Sequence, residues 1–408
     1  MKKKFVAYRR FLPRVILISL VVLIALQLVI LFRLQVPVAG SASSQVSLQT
    51  HAESVFAKCK DKKYRPTCYD EQIPKLMKTI TMEEAFAVTR IVQDMDPTYS
   101  YCHVLAHKLS AQEVAKDPSK WKDVVTRCPS GTCSNGCLHG GFQEKFRKQM
   151  FTEADVERYM PDLQGICEAR GDWKPTGVEQ ASCYHAIGHL TMYITNGEVK
   201  KSLPLCDVIA KKEGGRDYTM LCYDGVFMQI FQPLEADDFS LVEGKQPTKE
   251  SVFSYCSSFS LAAQASCVNE SWPLFRNEIM TPEGFVAHCA NSPTEYGKKY
   301  CYTALSYIVT PKLQFDPQKS SQFCGALPAD AGIICYKNAA TRMIETDTRN
   351  IQRAVELCGL APEGTVQDGC YNELAVRTTY YLGKDTPGAK ELCSSLPKQW
   401  EIACSLQR

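Results

Sequence analysis

Toward its C-terminus the chain repeats one pattern of apolar and polar positions. The segments AVELCGLAPEGTVQDGCYNELA (354–375) and AKELCSSLPKQWEIACSLQ (389–407) align on A-x-x-L-C, a short gap, and a second cysteine inside a new apolar stretch. Apolar residues three and four apart form one face of a helix. Each unit therefore predicts two short helices joined by a turn, the first cysteine ending one helix and the second opening the next.

The period is legible in the cysteines themselves. Cys267, Cys301, Cys335, Cys370 and Cys404 stand 34, 34, 35 and 34 residues apart, and Cys256, Cys289, Cys324, Cys358 and Cys393 precede them at similar spacing. The pairing continues back through Cys59/Cys68, Cys128/Cys137, Cys167/Cys183 and Cys206/Cys222. Each pair would staple its own helical hairpin, stabilising it by roughly 2–4 kcal/mol in the chain-entropy model. Cys102 and Cys133 remain, and pair as a bridge between repeats. The second cysteines then mark ten units, with insertions where their spacing grows to 46, 39 and 45 between Cys137 and Cys267.

In period and helix-pair layout the units resemble the tetratricopeptide and Sel1-like helical repeats. That resemblance implies an all-α chain whose disulfide-stapled hairpins stack into an α-solenoid. The tryptophan–leucine–glycine–tyrosine signature of tetratricopeptide units is absent. The physics points the same way, because a 34-residue helix pair cannot bury its apolar face alone and neighbours must supply the core.

The N-terminus breaks the pattern. Residues 15–32, VILISLVVLIALQLVILF, carry no charge and follow a basic cluster (Lys2, Lys3, Lys4, Arg9, Arg10, Arg14). This reads as one transmembrane signal anchor over 15–33, with a cytoplasmic tail at 1–14 and the rest of the chain outside. A cleaved signal peptide, with VAGSAS at 38–43 as the cleavage region, is the competing reading. Either one exports the repeats. Twenty cysteines, all beyond residue 58, agree with an oxidising compartment. The remaining organisation reads as a linker at 34–50, histidine-bearing repeats at 51–240 and regular repeats at 251–408. Net charge is only +3, with no basic stripe of the kind a nucleic-acid partner requires.

Candidate chemistry rests on five of the seven histidines. His103 and His107 in YCHVLAHKL, His139 in GCLHGGF, and His185 and His189 in CYHAIGHL occupy the same end of the second helix in three consecutive repeats. A spacing of four puts both imidazoles of a pair on one helix face. Side-by-side helices would align the three positions. Gly140, Gly141 and Gly188 lie among them, and glycine, about 1 kcal/mol worse than alanine in a helix, suits close backbone approach. Imidazole accepts zinc, copper, iron or nickel. Zinc is the default, with copper and iron as rivals, since the cysteines are committed to disulfides. Among carboxylates, Asp224 holds in its repeat the place of His139 and His185, with Glu144 and Glu179 nearby; a helix N-terminal acid is the bland alternative for Asp224. Tyrosines after the second cysteine (Tyr69, Tyr184, Tyr223, Tyr302, Tyr336, Tyr371) read as packing, and the sequon at Asn269 as chance.

Two functions stay open on the sequence alone, beside a structural envelope protein whose histidines merely pack. One is a membrane-anchored, extracytoplasmic helical-repeat protein that binds a transition metal through the histidines, as an enzyme or a carrier. The other is a disulfide-rich solenoid scaffold that takes a protein or peptide on its concave face, without metal or catalysis.

Overall fold

Helix follows helix along the chain, in hairpins that begin where the cysteine period places them. The structure is a computed structural model. It describes residues 39–146, 152–171, 173–211, 215–234 and 236–407. Among them there is no strand, only an isolated bridge between Arg170 and Trp173. The apolar stretch 15–33 lies outside the described residues; within them no helix is long and apolar enough to cross a membrane. Met1–His51 and Ala52–Arg408 separate as two units, and every disulfide lies in the second. The helix Ala39–Cys59 begins inside the stretch 34–50.

The second helices of the ten hairpins are α1 (Arg65–Leu76), α2 (His103–Lys116), α3 (Gly136–Phe146), α4 (Gly177–Ile194), α5 (Thr219–Phe231), α6 (Leu261–Glu270), α7 (Glu295–Lys312), α8 (Ala329–Thr346), α9 (Thr365–Val376) and α10 (Lys398–Ser405). Each packs against the next in order. The first helices, such as Pro317–Gly325 before α8 and Pro387–Ser395 before α10, pack on their partners.

Ten disulfides hold the hairpins: Cys59–Cys68, Cys128–Cys137, Cys167–Cys183, Cys206–Cys222, Cys256–Cys267, Cys289–Cys301, Cys324–Cys335, Cys358–Cys370, Cys393–Cys404 and the inter-repeat Cys102–Cys133. These are the pairs the spacing predicts, and no cysteine is free. The bridges are core, not surface: the cysteines from Cys289 to Cys404 are buried with Phe285, Leu305, Met343, Leu357, Leu374 and Leu392 in one continuous cluster.

The expectation that the second cysteine opens its helix fails in more than half the units: in α9 it is the sixth residue. In α4, α6, α7, α8 and α10 it is the seventh residue. Among these, α8 and α10 start directly after Pro328 and Pro397, whereas α4, α6 and α7 start earlier because a cap lies further upstream. Thr176, Ser260 and Thr294 each accept a bond from the N–H three residues on, satisfying a donor the helix leaves open. The recurrent tyrosines do pack. The hydroxyls of Tyr184 and Tyr223 bond Glu168 and Asp207, each the residue after its hairpin's first cysteine. Asn269 is buried and closed to modification.

The row of helices also turns back on itself. Thr348 donates from its N–H to the carbonyl of Gly131, and Arg349 pairs with Asp94 at 2.6 Å. Further along, Tyr380 lies against Gly177, where a Cβ would come within 1.9 Å of its ring, and Arg216 sits 4.4 Å over that ring. Residues 348–380 thus pack against the histidine-bearing repeats.

Candidate metal centre

Cys102 caps α2, so His103 is its first residue. The Cys102–Cys133 bridge ties that start to a turn in which Cys133, Ser134 and Asn135 all have positive φ. Three successive non-glycine residues in the left-handed region are uncommon. The turn presents the Cys133 carbonyl to His103 Nδ1 at 3.3 Å. One turn along the helix, His107 Nδ1 meets Gln143 Oε1 at 3.2 Å. A carbonyl and an amide oxygen can only accept, so a ring that donates to either from Nδ1 keeps Nε2 as its lone-pair nitrogen. Those two Nε2 atoms face each other at 3.0 Å.

His139 arrives from α3, its ring centroid 4.9 Å from that of His103 and 5.2 Å from that of His107. Its Nε2 donates to the Ser182 carbonyl at 3.2 Å, which leaves Nδ1 bare, and Nδ1 is buried with no partner. His103, His107 and His139 thereby offer three ligand nitrogens within 4.8 Å of one another, all buried. Two nitrogens bound to one zinc ion at 2.0–2.1 Å lie about 3.3 Å apart in tetrahedral geometry, close to the 3.0 Å between His103 Nε2 and His107 Nε2.

The second pair continues the cluster. His185 Nε2 and His189 Nε2 stand 3.3 Å apart on α4, with rings 5.5 and 5.8 Å from that of His139. His189 Nδ1 is held by Gln229 Oε1 at 2.7 Å, and His185 Nε2 lies 3.3 Å from Met228 Sδ. Both Gln229 and Met228 come from α5. Five imidazoles from three helices therefore form one chain of contacts, with His139 in the middle. His288, by contrast, stands outside the cluster: its Nε2 bonds the Val268 carbonyl, its Nδ1 is buried without a partner, and its ring packs edge-on against Phe275.

The close approach is built by glycine. A Cβ on Gly140 would lie 2.2 Å from the His107 carbonyl, one on Gly188 2.0 Å from that of Cys222, and one on Gly225 2.0 Å from that of His185. Gly141 instead faces the Val125 side chain of its own hairpin. Any side chain at Gly140, Gly188 or Gly225 would push α2 from α3 or α4 from α5.

Burial sets the electrostatics. It lowers the pKa of His103 to about 4, with the positive charge of Arg342 adding to the effect. It also lowers those of His107, His139, His185 and His189. The imidazoles are neutral at physiological pH, the form that binds metal.

Asp224 goes elsewhere. Its Oδ2 accepts from the Tyr300 hydroxyl and its Oδ1 has no partner. Burial raises its pKa to about 7, and burial together with Asp224 pushes Glu270 well above the carboxylate range. Asp224 thus belongs to a buried carboxylate pair and makes no hydrogen bond to a histidine. Glu179 is the third residue of a capping box with Thr176, which accounts for its place, and Glu144 is buried on α3.

Several members of the site escape sequence reasoning. Gln143 and Gln229 orient ring nitrogens, Met228 touches one, Tyr101 stacks 5.9 Å from His103, and the charge of Arg342 acts on His103 from α8. A signal existed for those on α3 and α5. CLHGGFQE and CYDGVFMQ place glycine third and phenylalanine fifth after the cysteine, and put Met228 in the register of Gln143. No signal pointed to Arg342, which the returning segment delivers. No family model matches this chain, and neither does any curated protein or solved structure.

Proposed function

We propose that this chain binds a transition metal ion, zinc in the first instance, through His103, His107 and His139. One observation carries the reading. Three buried imidazoles bring their nitrogens within 4.8 Å, while Cys133, Gln143 and Ser182 occupy the other nitrogen of each ring. Such partners fix the ring orientation and tautomer of metal-ligating histidines. Zinc suits neutral imidazole, and with every cysteine in a disulfide no thiolate competes.

Of the two forms this could take, carrier is favoured over enzyme. The trio is buried, and the acid considered as its base bonds Tyr300 instead. We further infer that the stacked hairpins are an α-solenoid whose end returns on its middle, exported and held at a membrane by residues 15–33. The basic residues before that stretch and the disulfides after it support this orientation. A scaffold with an open inner face is less well supported, because residues 348–380 pack against the histidine-bearing repeats.

Metal content of the full oxidised chain, measured by mass spectrometry after incubation with each candidate ion and gel filtration, tests this. The wild type should retain zinc, His139→Ala should lose it, and His288→Ala should keep it. A folded wild type that retains no ion would defeat the reading.

A further inference from the structure

We propose that His185, His189 and Met228 form a second site, selective for a soft monovalent ion of the copper(I) class. It extends the metal reading from one ion to two, and rests on that reading only for its setting, since its donors are different. Nε2 of His185 lies 3.3 Å from both His189 Nε2 and Met228 Sδ, so one imidazole nitrogen is flanked by a second imidazole and a thioether. Gln229 Oε1 holds His189 Nδ1 and thereby leaves Nε2 as the lone-pair nitrogen toward His185. Thioether sulfur is a soft donor that selects copper(I), whereas carboxylate and carbonyl oxygen suit hard ions. No charged donor belongs to the set, which matches a monovalent ion better than a divalent one.

Placement supports the same ion. His103, His107, His139 and His189 are buried, but His185 and Met228 are partly exposed. The soft pair is the accessible edge of a cluster whose imidazole trio lies deeper. An ion entering from outside meets a thioether and an imidazole first, and His139, 5.5 Å from His185 and 4.9 Å from His103, joins the edge to the interior. The register of Met228 is one from which a side chain reaches a histidine: two helices earlier, α3 carries Gln143 there, and its amide oxygen meets a histidine Nδ1.

Silver(I) is the probe, because it shares the donor preference and needs no reductant that would open the disulfides. Full-length oxidised protein would be titrated with silver(I) by calorimetry, beside Met228→Leu, His185→Ala and His103→Ala. Met to Leu keeps volume and apolar character, so Met228→Leu is expected to fold. The expected result is one tight silver(I) ion per chain, weakened at least tenfold in Met228→Leu and lost in His185→Ala. His103→Ala should retain it. X-ray absorption of the silver-loaded wild type should show a sulfur neighbour that Met228→Leu lacks. Equal affinity in wild type and Met228→Leu, no sulfur neighbour, or loss of silver in His103→Ala but not in His185→Ala would each overturn the proposal. Zinc retention is read separately. A chain that holds silver through Met228 but no zinc would keep this site and defeat the trio.

Discussion

His103 Nε2 lies 3.0 Å from His107 Nε2, while the Nδ1 atoms of both rings point away to oxygen acceptors. Two lone pairs at that distance repel unless a cation or a proton lies between them. In the metal-free protein a proton must do so, and since burial keeps both rings neutral one of them takes its other tautomer. With zinc bound, both rings carry their hydrogen on Nδ1. Nitrogen NMR of the imidazoles should therefore show a change of tautomer at one of the two residues on zinc addition. Gln143→Leu, which removes the acceptor of His107, should weaken zinc roughly 10- to 100-fold. An unchanged tautomer pattern would show that a proton alone bridges the pair.

Gly140 sets the spacing of α2 and α3. A methyl group there would lie 2.2 Å from the His107 carbonyl, and backbone cannot yield as a flexible side chain does. Gly140→Ala should lower stability by about 1–3 kcal/mol, the usual range for overpacking, and reduce zinc retention with it. Gly165, which has nothing within 4 Å of a built Cβ, is the control. Gly165→Ala should leave both unchanged or gain up to about 1 kcal/mol from helix propensity. Denaturant titration of the two variants decides it.

The buried titratable groups oppose one another in pH. Unfolded histidine takes up its proton near pH 6.5, but folded His103 does so only near pH 4. Between those values the unfolded chain binds more protons, so the stability contributed by the histidines is lost as pH falls from about 6.5 toward 4. Asp224 works the other way. Its carboxyl stays protonated up to about pH 7 when folded, against a normal value of 3.8, so its contribution is lost as pH rises between them. Metal-free wild type should melt at lower temperature at pH 4.5 than at pH 6.5. Asp224→Asn should raise the melting temperature at pH 8 and change it little at pH 4. A Tm independent of pH in both proteins would contradict the burial described.

The inter-repeat bridge should behave unlike the others. Replacing Cys102 and Cys133 by serine frees the left-handed turn at 133–135 that supplies the partner of His103 Nδ1. Replacing Cys393 and Cys404 touches only the last hairpin. Each double variant should lose about 2–5 kcal/mol. Only the first should also lose zinc affinity, measured by competition with a chelator. Equal zinc affinity in both variants would separate the bridge from the site.

The two kinds of information divide along the range of the interactions that carry them. The helical hairpins, their order and nine bridges were legible in the chain, because a staple across one hairpin links residues 9 to 16 apart and leaves its period in the sequence; the tenth, Cys102–Cys133, followed as the pair left over. The five histidines were legible for the same reason: repeat-equivalent positions on neighbouring helices meet when the helices stack. The helix starts were misjudged where a cap such as Thr294, rather than the cysteine, decided them. Asp224 was misjudged because register alone does not say which way a buried acid finds its partner, and Tyr300, 76 residues on, supplied one. The tertiary structure alone decided which ring nitrogens are free, that Met228 reaches His185, and that Arg342 and residues 348–380 come back upon the histidine repeats. Those contacts depend on side-chain rotamers and on packing between residues more than a hundred positions apart, as between Arg349 and Asp94, and neither has a period that a sequence can display.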